Sequence, residues 1–204
     1  MEAQACQGTA AFAAGPIRLG GDYTSGDGWK GYGLDVGVGA KTGAYAEASV
    51  SRAEFSDIDG SGKAVGFGAG YAINLNRAHT VQFCPLVTAA FESGPDIDYG
   101  NSTIETSTRA FGFGGTFGGA VPVTPTLDLV PFAGAAFLTE RLSATLDGTS
   151  DSQSANFGLL DVGAGFVINK TLTLQPSVSI PFGVDGGKSS FALALSFNFG
   201  SAKH

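Results

Sequence analysis

The chain has 204 residues, and only 14% of them are charged, well below the roughly 25% that is typical of soluble domains. No run approaches the roughly 18–20 consecutive apolar residues of a membrane-spanning helix, which excludes a helical membrane protein. The net charge of −7, without a cluster of Lys and Arg, argues against nucleic acid as a partner.

Residues 1–15 are predicted to form an N-terminal periplasmic segment that precedes the folded domain. Ala3-Gln4-Ala5 has the small-x-small form of a signal-peptide cleavage site, so we expect an exported protein whose signal peptide is absent from this sequence. Cys6 and Cys84 are the two cysteines, and in an exported protein they are expected to form a disulfide. Two buried free thiols are the alternative.

The clearest strand signal is Gly31–Ala40, where apolar residues at even positions alternate with Gly or Asp at odd ones. The same alternation returns at 63–73, 172–182 and 191–199, and period-2 patterning of this length is typical of strands. With the weaker segments included, ten strands are predicted, near 16–24, 31–41, 44–55, 63–73, 79–92, 104–121, 126–142, 154–168, 171–182 and 190–200. We therefore expect an all-β fold, an up-and-down antiparallel transmembrane β-barrel over residues 16–200, with eight strands as the alternative.

The predicted connections alternate between tight and long. The tight ones lie at 41–43, 74–78, 122–125 and 169–170, and the longer ones at 25–30, 56–62, 93–103, 143–153 and 183–189. Since short turns face the periplasm in bacterial barrels, both chain ends should lie on that side. A phase slip at Ser51–Phe55 predicts a bulge, and apolar residues on both faces of 127–138 leave the register of the seventh strand open.

Aromatic residues near the strand ends predict two girdles at the membrane interfaces. The outer girdle would contain Tyr23, Tyr32, Phe55, Phe91, Phe182 and Phe191, and the inner one Tyr45, Tyr71, Phe83, Phe166, Phe197 and Phe199.

The repeated alternation and the last strand, Phe191–Phe199, resemble small outer-membrane barrels of the OmpA/OmpX-like and opacity-protein kind. The resemblance implies a porin-like protein in the outer membrane of a Gram-negative bacterium. It also implies two partners, outer-membrane lipid and the barrel assembly machinery, which would recognise the terminal strand. Residues 201–204 extend past that strand and are expected to be a C-terminal tail added to the natural chain.

The sequence offers little chemistry. His79 and His204 are the two histidines, one in a predicted turn and one in the tail, so no catalytic residue, enzymatic activity, cofactor or metal site is assigned. Asp57, Asp59 and Gly60 resemble the first half of a calcium loop. No Glu occupies the twelfth position, so an ordinary acidic loop is favoured over a cation site, although divalent cations remain possible partners of the acidic outer loops.

Strand parity makes predictions about the lumen. It places many glycines inside, and a lumen lined by glycine cannot fill itself with side chains. Cys84 also faces inward near the periplasmic end, so a disulfide to Cys6 would hold residues 1–15 as a partial plug. The charged lumen positions are Arg18, Asp35, Glu47 and Asp161. Arg18 is expected to neutralise Asp35, which leaves Glu47 and Asp161 without an evident basic partner.

The expected function is a structural barrel or a passive pore for small solutes, weakly cation-preferring if open. One alternative is a surface-binding or adhesion barrel that acts through 93–103 and 143–153. Another is a soluble lipocalin-like carrier.

Overall fold

The computed structural model describes residues 5–9, 16–40, 42–56, 60–78, 80–95, 97–99, 102–184 and 186–199. After a 3-10 turn, Ala5–Gln7, the described chain is built from strands. These are β1 Ile17–Gly26, β2 Trp29–Gly39, β3 Ala44–Phe55, β4 Ser61–Tyr71, β5 Ile73–Asn74, β6 Val81–Ser93, β7 Ile97–Tyr99, β8 Ser102–Gly119, β9 Val121–Thr124, β10 Leu127–Leu146, β11 Thr149–Ile168, β12 Leu172–Phe182 and β13 Ser190–Phe199.

Ten long strands close into a ring of antiparallel neighbours. Each pairs with the next along the chain, and β1 pairs with β13 to complete the circle. The short strands β5, β7 and β9 pair beside β6, β8 and β10. The predicted ten-stranded barrel is therefore confirmed, and the eight-stranded alternative is wrong.

The two ends of the barrel differ in their connections. Ile17 at the start of β1 pairs with Phe199 at the end of β13, so the first strand begins and the last strand finishes at the same end of the barrel, here called the terminal end. All four inter-strand connections at the terminal end include a described turn, within 40–43, 72–80, 125–126 and 169–171. The opposite end, here called the hairpin end, carries the connections after β1, β3, β6, β10 and β12.

The outward face is an apolar band. Along the β1–β13 pair it runs from Ile17 and Phe199 to Tyr23 and Phe191, about the nine to eleven tilted residues that cross a bilayer. Large apolar side chains in this band remain exposed, among them Leu34 at 65% and Phe113 at 64%. Within the described residues, no helix has the length and apolar character needed to span a membrane.

The long outer loop predicted at 143–153 is wrong, because these residues are mostly strand. β10 continues to Leu146 and β11 starts at Thr149, and the two pair in register up to the turn. Asp147 and Gly148 form that turn with φ of 50° and 79°, the left-handed pair of a tight type I′ hairpin. The segment is rich in Ser, Thr and Asp because the hairpin extends beyond the apolar band, where strand residues are polar.

The bulge predicted at Ser51–Phe55 is also wrong. β3 pairs with β2 and β4 without a register shift over these residues. Arg52 and Glu54 face outward, and Phe55 faces inward beside Trp29. The apparent phase slip arises because β3 leaves the apolar band here, so polar residues take the outward positions while the alternation continues.

Two aromatic residues assigned to the girdles face the lumen instead. Phe55 lines a cavity inside the barrel. Tyr45 packs against the disulfide and is only 6% exposed. Tyr23, Tyr32, Phe91, Phe182 and Phe191 do lie on the outward face near the hairpin end.

The seventh long strand, β10, has a definite register. Phe137 and the other odd positions face outward, and Val130 and Phe132 face inward and are buried. Both faces are apolar because the inner one packs against the N-terminal segment, a contact that no local pattern could reveal.

Candidate functional site

The N-terminal segment Ala5–Thr9, here called the plug, lies inside the barrel at the terminal end. Cys6 is joined to Cys84 of β6 by a disulfide with a Cα–Cα distance of 5.7 Å, and both side chains are fully buried. The predicted disulfide is therefore confirmed, and its inward attachment to β6 fixes the plug against the wall.

Two glycines of the wall make room for the plug backbone. A Cβ at Gly118 of β8 would collide with the carbonyl oxygen of Ala5, and a Cβ at Gly165 of β11 would collide with that of Gly8. The plug backbone therefore lies closer to the barrel wall at these two glycines than it could if either position carried a side chain.

Apolar and polar contacts hold the first residues of the plug. Ala5 packs in a buried cluster with Val130 and Val167, and the ring of Phe132 lies over Gly8. The amide nitrogen of Ala5 donates a hydrogen bond of 2.8 Å to the Oε1 atom of Gln82. The plug therefore shields apolar wall residues from water, and the buried backbone N–H of Ala5 still has a hydrogen-bond acceptor.

Arg18 of β1 connects the plug to the wall. Its guanidinium donates to Gln7 Oε1 and Thr9 Oγ1 of the plug, both at 3.1 Å, and to Glu47 Oε2 of β3 at 2.9 Å. Its Nε atom lies 3.8 Å from Asp35 Oδ2 of β2. The expectation that Glu47 lacks a basic partner is wrong, because an arginine fork has enough donors to serve the plug and two carboxylates.

Neighbouring side chains occupy other parts of the glycine face. Asp35 lies over Gly20, and Glu47 lies over Gly68, whose Cβ would be 2.8 Å from the Glu47 Oε1 atom. The lumen is therefore filled partly by the plug and partly by polar side chains that bend across adjacent strands.

The fourth predicted lumen charge, Asp161 of β11, lies in the lumen away from Arg18. It is half-buried and accepts a hydrogen bond from the Ser179 hydroxyl of β12. The possible cation loop at Asp57 and Asp59, like His79 and His204, lies outside the described residues. In the part of the chain that the structure describes, no three His, Cys, Asp or Glu side chains group together as a metal site.

Strand register reveals further inward acids that sequence analysis missed. Glu92 of β6 and Glu140 of β10 face the lumen near the hairpin end, and Asp22 of β1 faces it opposite Gly33. Glu92 and Glu140 could have been predicted from the sequence, because inward-facing positions alternate along a strand from Thr88 to Glu92 and from Leu138 to Glu140. Within the described strands, Arg18 is the single basic residue that faces inward.

The hairpin end of the lumen holds a cavity of about 290 Å³ lined by inward-facing residues. Its wall includes Trp29, Phe55 and Glu92. The lumen thus holds an open cavity and several acids at the hairpin end, and the plug occupies it at the terminal end.

The sequence matches the family described as outer membrane protein β-barrel domain over residues 9–199. The chain belongs to this family. No curated protein matches the sequence. Membership fixes the class of barrel, and the match begins inside the plug, at Thr9.

Solved structures share the barrel at low sequence identity. The β domain of the Bordetella autotransporter BrkA is 15% identical with a TM-score of 0.57, and the alignment covers 91% of this chain and 100% of that one. The translocator domain of the autotransporter NalP from Neisseria meningitidis is 12% identical with a TM-score of 0.56, covering 90% and 88%. At these identities the likeness concerns the fold alone.

Proposed function

We propose that the protein is an outer-membrane barrel that acts as a restricted, cation-preferring path for small solutes. The observation that carries the proposal is the sign of the inward charges. Asp22, Glu92, Glu140 and Asp161 face the lumen, whereas the single inward base of the described strands, Arg18, is already shared between Asp35 and Glu47. A channel with low-dielectric walls and one sign of charge concentrates counter-ions, here cations.

The proposed orientation puts the terminal end and its plug in the periplasm and the hairpin end outside the cell. Short turns at one end and projecting hairpins at the other support it, as in other bacterial barrels. Outer-membrane lipid would surround the apolar band, and the barrel assembly machinery would recognise β13. Both partners remain proposals.

The experiment is the reversal potential of the purified protein in planar bilayers under a KCl gradient. We expect cation preference in the wild type and a clear loss of it in the triple variant E92Q/E140Q/D161N. E105Q is the matched control, because Glu105 pairs with Thr145 on the outward face and should leave the reversal potential unchanged. Anion preference in the wild type would contradict the proposal.

A second candidate is a surface-binding barrel, favoured by the projecting β10–β11 hairpin. Both strands have 20 residues, about twice the length that crosses a bilayer, so the paired ends of the two strands project beyond the apolar band. This candidate would be favoured if neither the wild type nor the C6S/C84S variant, in which the plug is no longer anchored by the disulfide, conducted ions in planar bilayers. The exposed apolar band and the family membership argue against the soluble lipocalin-like carrier.

A further inference from the structure

Five basic residues of the described strands face outward near the hairpin end, and one of them, Lys30, forms an ion pair of 3.2 Å with Glu54. The other four, Arg52, Lys63, Arg109 and Arg141, lie at the edge of the apolar band and are here called the basic collar. Arg52 pairs across strands with Tyr32, and Arg109 pairs with Phe91. Tyr32 and Phe91 are exposed residues of the outward aromatic belt, and such belts lie at the level of the lipid headgroups. The collar therefore lies at headgroup depth, where a charge costs little.

The collar brings like charges directly opposite each other. Arg52 of β3 pairs with Lys63 of β4, and Arg109 of β8 pairs with Arg141 of β10. Like charges in directly opposed positions destabilise a sheet. Arg52 has Glu54 at 4.0 Å, but among the described residues no carboxylate oxygen lies within that distance of Lys63, Arg109 or Arg141. The repulsion therefore calls for an anion from outside the chain.

An open depression between these residues carries donors for such an anion, and Glu92, whose side chain faces the lumen, also lines it. It measures about 460 Å³ on the outward surface, and Lys63 and Arg109 flank it. Ser93 and Ser107, paired across β6 and β8, lie between the two cations. Lys63 and Arg109 are two strands apart and offset by two residues along the strands, or about 12 Å between backbones, a gap that their long side chains can close around one phosphate.

The apolar floor of the depression shows which kind of anion fits. Val65 and Phe91 line its membrane-facing side and are 41% and 43% exposed. They continue into the apolar band, so a ligand held by Lys63 and Arg109 would place any attached hydrocarbon directly against that band. A free phosphate would contact the cations and the serines but would make no contact with the apolar residues Val65 and Phe91.

We propose that the basic collar binds the phosphate of a phosphorylated lipid headgroup, with Lys63 and Arg109 as its principal contacts. Arg109 supplies a planar fork of donors, Lys63 a compact charge, and Ser93 and Ser107 neutral hydroxyl donors. Arg52 and Arg141 add charge from either side. This site is on the outer wall of the barrel and does not depend on whether the lumen conducts.

The experiment uses the full chain in nanodiscs of phosphatidylcholine that contain a small fraction of phosphatidic acid, a lipid with a phosphomonoester. Native mass spectrometry counts the lipids that stay bound after release from the disc. We expect phosphatidic acid to be retained over phosphatidylcholine by the wild type, and the K63Q/R109Q variant to lose most of that retention. The matched control R77Q/K170Q also removes two positive charges, but from turns at the terminal end, and should retain the lipid as the wild type does.

A stability arm separates loss of the site from loss of the fold. In pure phosphatidylcholine, K63Q/R109Q should unfold at the same temperature as the wild type or higher, because like-charge repulsion is relieved. Adding phosphatidic acid should raise the unfolding temperature of the wild type and leave that of the variant unchanged. Equal retention of phosphatidic acid by the wild type and K63Q/R109Q, or complete displacement of the lipid by inorganic phosphate at equal concentration, would overturn the proposal.

Discussion

Arg18 is the residue on which the terminal end of the lumen depends, because its guanidinium serves two carboxylates and two plug side chains at once. Arg18→Met would keep much of the side-chain volume but leave Glu47 and Asp35 without their cation and Gln7 and Thr9 without a donor. Hydrogen bonds to charged groups contribute about 1.5–3 kcal/mol, and we expect a loss of that size in urea unfolding from lipid vesicles. Arg77→Gln, at an exposed position in a turn, should change stability by less than about 0.5 kcal/mol. A loss just as small for Arg18→Met would show that lumen water replaces the network.

At the same scale, Gly118 and Gly165 are predicted to control whether the plug can enter. In G118A/G165A each new methyl group would meet a plug carbonyl oxygen, a backbone atom that cannot rotate away. We expect an intact barrel by circular dichroism but a smaller fraction of the Cys6–Cys84 disulfide, measured by maleimide labelling after refolding. Gly119→Ala is the control, since its Cβ would have ordinary contact at 3.7 Å with the Thr80 carbonyl oxygen. A fully oxidised double variant would contradict the role given to these two glycines.

At the scale of elements, the sequence predicted the barrel strands well wherever they cross the apolar band. Period-2 alternation identified ten strands, and the tight turn at Asn169-Lys170 has the left-handed φ values of 49° and 61° that a short hairpin needs. The errors at 51–55 and 143–153 share one cause. Where a strand extends beyond the membrane, its side chains still alternate between the two faces, but the outward-facing residues are polar instead of apolar. The sequence of such a segment therefore resembles that of a bulge or a loop.

The candidate site was predictable only in part, for a related reason. Strand parity predicted that Cys84 faces inward, and the disulfide to Cys6 then predicted the plug. The position of Arg18 was not predictable in this way, because Arg18 contacts Glu47, which is 29 positions away in the sequence, and Gln7, which is 11 positions away. Such contacts depend on how the barrel closes and on side-chain length. The apolar inner face of β10 was visible in the sequence, and its meaning became clear only once Ala5 and Gly8 lay against it.

The β10–β11 hairpin yields a prediction at this scale. Gly148→Val would force a β-branched residue to φ 79°, a conformation that costs about 1–3 kcal/mol. Because the turn lies beyond the apolar band, we expect faster amide hydrogen exchange over residues 143–152 and an unchanged unfolding temperature of the barrel. Gly148→Asn, which tolerates the left-handed region, should exchange as the wild type does. A lowered barrel unfolding temperature in Gly148→Val would mean that the hairpin supports the ring.

At the scale of the whole molecule, charge is segregated across the barrel wall. In the described strands, most acids face the lumen, with Glu54 and Glu105 as outward-facing exceptions. The bases other than Arg18 face outward, where Lys30, Arg52, Lys63, Arg109 and Arg141 surround the hairpin end. Under the two proposals, the acidic interior would attract cations, and the basic collar on the exterior would attract anionic lipid headgroups.

If the lumen conducts as proposed, the plug obstructs its terminal end, so releasing the plug should raise conductance without unfolding the barrel. In C6S/C84S the plug loses its covalent anchor but keeps its hydrogen bonds to Arg18 and Gln82, whereas adding Arg18→Met removes the polar anchor as well. We therefore expect single-channel conductance in planar bilayers to rise in the order wild type, C6S/C84S, then C6S/C84S/R18M. Chemical reduction of the wild type should reproduce the first step, while circular dichroism shows that the strands persist. Equal conductance in all three proteins, with folded barrels, would show that residues 5–9 do not obstruct the path and would shift the restriction to another part of the lumen.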